Sequence, residues 1–124
     1  MSKVVLWVSD LQAQIDFYSK LFDVKPGFIG DDFAEVSCES NSVLLHTLPE
    51  EYRAATPLAA QLRHQTEVAI KPVFTVSNLA EAQNRVADTF ATFSPGTIDF
   101  GPFVYQDVVD PEGNVIQLQQ RIGN

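Results

Sequence analysis

The stretch Lys3-Val4-Val5-Leu6-Trp7-Val8-Ser9-Asp10-Leu11 has a counterpart 68 positions later, Lys71-Pro72-Val73-Phe74-Thr75-Val76-Ser77-Asn78-Leu79. Five of the nine positions are identical, and Asp10 and Asn78 are both residues that cap helices. In each copy an apolar run leads straight into a helix start, so the repeat predicts two equivalent halves. Ser9, with Gln12 three residues on, predicts a capping box. Leu11, Ile15, Tyr18 and Phe22 then recur at helical spacing until Lys25-Pro26-Gly27, which cannot continue a helix. In the second copy Ser77 or Asn78 caps a helix whose apolar stripe is Leu79, Ala82, Val86 and Phe90.

Working outward from the two helices, the apolar period changes to that of strands. Gly27-Phe28-Ile29 begins one, Phe33–Cys38 and Ser42–Thr47 form two more around the polar turn Glu39-Ser40-Asn41, and Thr97–Phe100 and Phe103–Val108 follow the second helix. Asp110-Pro111-Glu112-Gly113-Asn114 is a turn in which proline presets φ and glycine accepts a positive one, and Val115–Gln119 closes the chain. Both halves read β-α-β-β-β. The expected architecture is an α+β single domain over residues 1–124, with module one at 1–48, a linker at 49–66 carrying a short helix near Leu58–Arg63, and module two at 67–124.

The bulk properties fit this. A chain of 124 residues buries roughly two-thirds of its unfolded surface. Hydrophobic residues make up 45% and no run approaches a membrane span. The N-terminal segment meets Asp10 too early for a signal peptide and reads as mature protein. Cys38 is the only cysteine, which excludes an intrachain disulfide or a cysteine-held metal and points to the cytoplasm. A net charge of -8 argues against nucleic acid and anionic membranes as partners.

With the repeat in place, Val8-Ser9-Asp10-Leu11 leading into Ile15-Asp16-Phe17-Tyr18, then Leu21-Phe22, and Asp110-Pro111-Glu112-Gly113-Asn114-Val115-Ile116 near the C-terminus carry a resemblance to the vicinal oxygen chelate superfamily. This group includes glyoxalase I, extradiol dioxygenases and bleomycin-resistance proteins. The resemblance implies paired βαβββ modules forming a cupped mixed sheet that holds a ligand, and a homodimer. Metal-dependent members hold one divalent ion from the first strand of each module and from the last strands. By that resemblance the first-strand positions fall on Lys3 and Lys71 and the C-terminal one on Gln117. The fourth falls on Leu44 or, with a slip of two, on His46. Protonated lysine has no lone pair, glutamine is a weak neutral ligand, and His46 alone cannot hold a catalytic ion. No metal or other cofactor is therefore expected, the alternative being a divalent ion held elsewhere.

Strand alternation puts Lys3, Val5 and Trp7 on one face and Val4, Leu6 and Val8 on the other; Lys71, Val73 and Thr75 likewise oppose Phe74 and Val76. The wholly apolar sets should meet the helices and the lysine sets should face the cup. Strand-start lysines can simply reach solvent, or they can supply positive charge for an anionic group. Trp7, Phe33, Phe103 and Tyr105 are candidate aromatic walls, with Trp7 and Tyr105 favoured by their polar handles. The expected ligand set is Lys3, Trp7, His46, Lys71, Tyr105 and Gln117, with His46 and Glu35 as candidate catalytic groups. Cys38 reads as a buried small apolar residue and His64 as solvated. Three functions follow. The first is a protein that binds a small anionic or aromatic molecule without metal. The second is a glyoxalase I-like lyase or extradiol dioxygenase-like enzyme, with a recruited metal or with acid–base chemistry alone. The third is a domain whose cup is filled by side chains and which meets another protein.

Overall fold

In the computed structural model, residues 2–51 and 68–123 are described. The first half runs β1 (Val4–Val8), α1 (Leu11–Phe22), β2 (Phe28–Ile29), β3 (Phe33–Ser37) and β4 (Ser42–Thr47). The second runs β5 (Val73–Thr75), α2 (Leu79–Arg85), β6 (Thr92–Phe93), β7 (Ile98–Phe100), β8 (Phe103–Val109) and β9 (Val115–Arg121). The first sheet has the order β1-β4-β3-β2, and the second β5-β9-β8-β6 with β7 also on β8. In each, the first and last strands pair in parallel and the others antiparallel, so both sheets are mixed. The α+β fold of two βαβββ modules stands, with β6 an addition the pattern did not show. Most of the linker, including the helix expected near Leu58–Arg63 and the position of His64, lies outside the described residues.

Alternation decides the faces as expected. Val8, Ala34, Val36, Val43 and Leu45 of the first sheet, and Phe74, Val108, Ile116 and Leu118 of the second, are buried with Ile15, Phe17, Tyr18 and Leu21 of α1 and Ala82 of α2 in one cluster. Phe74 meets both Tyr18 and Phe22 across the modules, with ring centroids 6.3 and 5.2 Å apart. Among the described residues the opposite face of each sheet is left uncovered.

Three expectations are corrected, two of them at helix ends. The N-cap of α1 is Asp10, not Ser9: its side chain accepts from Ala13 N at 3.0 Å, while the Ser9 N–H donates to Glu112. Asn78 caps α2 in the same way through Glu81 N. α2 stops at Arg85, because the Thr89 amide and hydroxyl both turn back onto Val86 O. Phe90 therefore leaves the stripe and is 91% exposed. Cys38 is half-buried rather than buried. α1 ends on Asp23, the one described non-glycine residue with positive φ, at 57°.

The two halves are fastened reciprocally by their last hairpin turns. Asn41, before β4, accepts from Thr75 N and donates to Thr75 O at the edge of β5. Glu112, before β9, accepts from Ser9 N at 2.7 Å and Asp10 N at 2.8 Å at the end of β1. Satisfying an edge strand's backbone in this way also shields it from stray pairing. Asp110, buried within the same turn, accepts from Gln14 Nε2 and Tyr18 Oη of α1 and from Glu112 N, Asn114 N and Asn114 Nδ2 of its own turn.

Candidate functional site

The open face of the first sheet carries the side chains that alternate away from the helices. Trp7 lies opposite His46, and His46 opposite Phe33. Phe28 of β2 completes a row of four rings that crosses all four strands. Centroids are 4.3 Å apart for Trp7–His46, 6.3 Å for His46–Phe33 and 5.1 Å for Phe33–Phe28, the last two pairs stacked. Trp7, Phe33 and Phe28 are all exposed. His46 Nδ1 lies 3.0 Å from the Thr47 carbonyl, which can only accept, so Nδ1 is the donor of this contact. Trp7 also borders a groove of about 520 Å³ between β1 and the β8–β9 turn, shared with Leu48 and Pro72.

Below the rings, Lys3 Nζ donates to Glu35 Oε2 at 3.0 Å, and Ser37 Oγ donates to the other carboxylate oxygen at 3.2 Å. The hydrogen bond and charge of Lys3 hold the Glu35 carboxyl below its ordinary value. Glu35 is thus a weakened base already engaged, and it is not joined to His46; the structure does not bring the two catalytic candidates together as a pair.

The open face of the second sheet repeats the plan with other residues. Lys71 Nζ donates to Asp107 Oδ2 at 3.0 Å, and Gln117 Nε2 donates to Asp107 Oδ1 at 3.0 Å. Gln119 donates to Thr75 Oγ1. Tyr105 and Phe103 lie 6.1 Å apart, with Arg121 over the Phe103 ring, and Ile98 and Phe100 extend the apolar surface along β7. Val73, Ile98 and Phe100 are exposed here, as Val5 is on the first sheet.

Register settles the question left open by the sequence. Val5 pairs with Leu44 as Val73 pairs with Gln117, so Leu44 is the counterpart of Gln117 and His46 that of Gln119. The four positions implied for a metal are Lys3, Leu44, Lys71 and Gln117. Two bring positive charge, one is apolar, and the last offers only a neutral amide oxygen, its nitrogen being bonded to Asp107. This donor set does not fit a divalent ion, and among the described residues no three His, Cys, Asp or Glu side chains converge elsewhere.

Sequence reasoning missed Asp107 and Phe28. Asp107 is the counterpart of Glu35, since the two lie opposite Gln117 and Leu44. An acid at the same place in each next-to-last strand was a signal, masked by the unequal loops between the repeats. Phe28 sits in a strand of two residues, too short for its face to be read from alternation.

Comparison with known proteins agrees with this architecture. A family model for the Glyoxalase/Bleomycin resistance protein/Dioxygenase superfamily matches residues 1–118. No curated protein sequence matches. Among solved structures, a glyoxalase/bleomycin resistance protein/dioxygenase family enzyme from Burkholderia phytofirmans PsJN superposes with a TM-score of 0.68 at 17% identity, covering 97% of each chain. A bleomycin resistance determinant encoded on the transposon Tn5 gives 0.64 at 13% identity over 98% of this chain and 97% of its own. A bleomycin-binding protein complexed with bleomycin gives 0.63 at 14% identity over 98% of both chains. At these identities the likeness establishes the fold. The chain is a member of the glyoxalase/bleomycin-resistance/dioxygenase superfamily.

Proposed function

We propose that the chain is a small-molecule-binding member of its family, and that its ligand contains a planar aromatic group. The observation that carries this is the row Trp7–His46–Phe33–Phe28, four rings on an open sheet face with three of them solvent-exposed. Such a row is costly in water and offers a stacking surface; one ring-on-ring contact is worth about 0.5–1.5 kcal/mol beyond its area. Beside it the Lys3–Glu35 pair supplies a charged donor for an anionic or carbonyl oxygen at the ligand's edge. Lys71, Tyr105 and Gln117 form the corresponding wall on the second sheet. A solved relative bound to bleomycin lends support at the level of fold alone.

The exposed apolar side chains on both open faces support a homodimer, because contiguous apolar surface of this kind marks interaction sites. Light scattering at micromolar concentration should give twice the chain mass; a monomer counts against it. Among the described residues no helix is long and apolar enough to cross a membrane. A single free cysteine suits a cytoplasmic protein.

Trp7 is the only tryptophan, so its fluorescence reports on the proposed site alone. Titration with planar aromatic carboxylates and phenolates, naphthoate among them, should quench or shift this emission saturably. Phe33→Ala should weaken binding about fivefold to tenfold, as loss of about 1 kcal/mol of stacking requires. A folded protein whose emission ignores every such probe removes the reading.

A further inference from the structure

We propose that the Lys71 ammonium, held by an Asp107 carboxylate whose other oxygen is bonded by Gln117, is a resident cation that takes over the task of a divalent ion and donates to an anionic oxygen of the ligand. This rests on the reading that the open faces bind a small molecule. Three observations carry it.

The first is the donor set: the repeat-equivalent positions Lys3, Leu44, Lys71 and Gln117 repel or ignore a metal, yet two of them deliver a positive charge to the open faces. The second is the symmetry of the pairing. Each lysine enters from the residues preceding its module's first strand and meets an acid from the next-to-last strand at 3.0 Å, Glu35 in one module and Asp107 in the other. The neighbouring side chains of the two faces have diverged, Trp7 against Thr75 and His46 against Gln119, while this pairing has the same form in both.

The third is the difference between the two pairs. Lys3 and Glu35 side chains are 56% and 35% exposed, whereas Lys71 and Asp107 are 28% and 14%. The second oxygen is bonded in both acids, by Gln117 in Asp107 and by Ser37 in Glu35, so the difference between the pairs lies in their burial. An ammonium has three donors and Asp107 takes one of them. An open cavity of about 260 Å³, lined by Asp107, Gln117, Tyr105, Ser94 and Ile98, adjoins the two partners of the cluster, although Lys71 itself is not part of its lining. The enclosed pair therefore suits recognition, since a charge-assisted hydrogen bond strengthens as water is excluded. Lys3, more open, is left as the weaker of the two.

The test has a metal arm that needs no ligand. Wild-type protein and the double variant Lys71→His, Gln117→Glu, which with Asp107 gives three donors, are titrated with nickel by calorimetry and native mass spectrometry. Folding is checked by circular dichroism. The wild type should take up no stoichiometric nickel, and the double variant should bind one ion per chain at least a hundredfold more tightly. One ion per wild-type chain at low micromolar concentration, or a folded double variant that binds no better, overturns the proposal. In the ligand arm, naphthoate affinity of Lys71→Met should fall about tenfold by calorimetry. An unchanged value in a variant whose partner experiment, Trp7→Ala, does lose affinity overturns the role of Lys71 and leaves the aromatic site standing. Loss in Lys71→Met with none in Trp7→Ala sinks the aromatic site instead and upholds the resident cation.

Discussion

Replacing Tyr18 by phenylalanine isolates the polar joint between the two modules. The Tyr18 hydroxyl donates to Asp110 Oδ2 at 2.8 Å, and both side chains are almost fully buried. The aromatic ring is kept, so packing against Phe17, Phe22 and Phe74 survives and no cavity larger than an oxygen atom is left. Asp110 retains its four other donors, so the carboxylate is weakened rather than orphaned. What is lost is one hydrogen bond to a charged group, worth about 1.5–3 kcal/mol. Taking about 2 kcal/mol, the melting temperature should fall by roughly 6–10 °C for a chain of this size. Burial first, and the Asp110 charge second, push the Tyr18 phenol well above its ordinary value. A raised folded value means the stabilisation is complete below the unfolded phenol's pKa, about 10, and is lost as pH rises past it. The wild type should therefore lose stability above pH 10 faster than Tyr18→Phe, and the gap between them should narrow there. Urea unfolding followed by circular dichroism from pH 6 to 10.5 measures both. A loss under about 0.5 kcal/mol near neutrality, or a gap that stays constant into the alkaline range, refutes the argument that this bond helps to hold the modules together.

Other expectations follow from the same geometry. Asp110→Asn sets an amide nitrogen against Gln14, Tyr18 and Asn114, all donors, and should cost roughly 3 kcal/mol, more than Tyr18→Phe, by the same unfolding assay. Asn41→Ala strips both backbone bonds from Thr75 and should cost about 2 kcal/mol, with amide exchange fastest at Thr75. Burial pushes the Glu112 carboxyl up despite the Ser9 and Asp10 amides that favour its charged form. Its contribution to stability is then fullest below the ordinary carboxylate range and is lost as pH rises through the folded value. Relative to Glu112→Gln, the wild type should lose ground as pH rises from the ordinary carboxylate range toward neutrality; the opposite slope in paired unfolding curves would mean the amides outweigh burial.

Much of this protein follows from its sequence alone. The repeat of Lys3–Leu11 in Lys71–Leu79 announces two modules, and alternation in strands such as Val4–Val8 assigns the helix-packed and open faces. These are local properties, since each depends on the period of a few consecutive residues. What needed the tertiary structure was every relation between segments. A slip of two residues leaves a strand's faces unchanged, so no pattern within Ser42–Thr47 could decide whether Leu44 or His46 stands opposite Val5. The partners of the lysines were hidden for the same reason: Glu35 and Asp107 are 32 and 36 residues away, and only the folded register brings them to 3.0 Å. The turn Asp110–Asn114 announced itself as a turn. That its two carboxylates bind helix α1 and its entry, more than 90 residues earlier in the chain, is a fact of packing, because a buried acid takes whichever donors the fold sets around it.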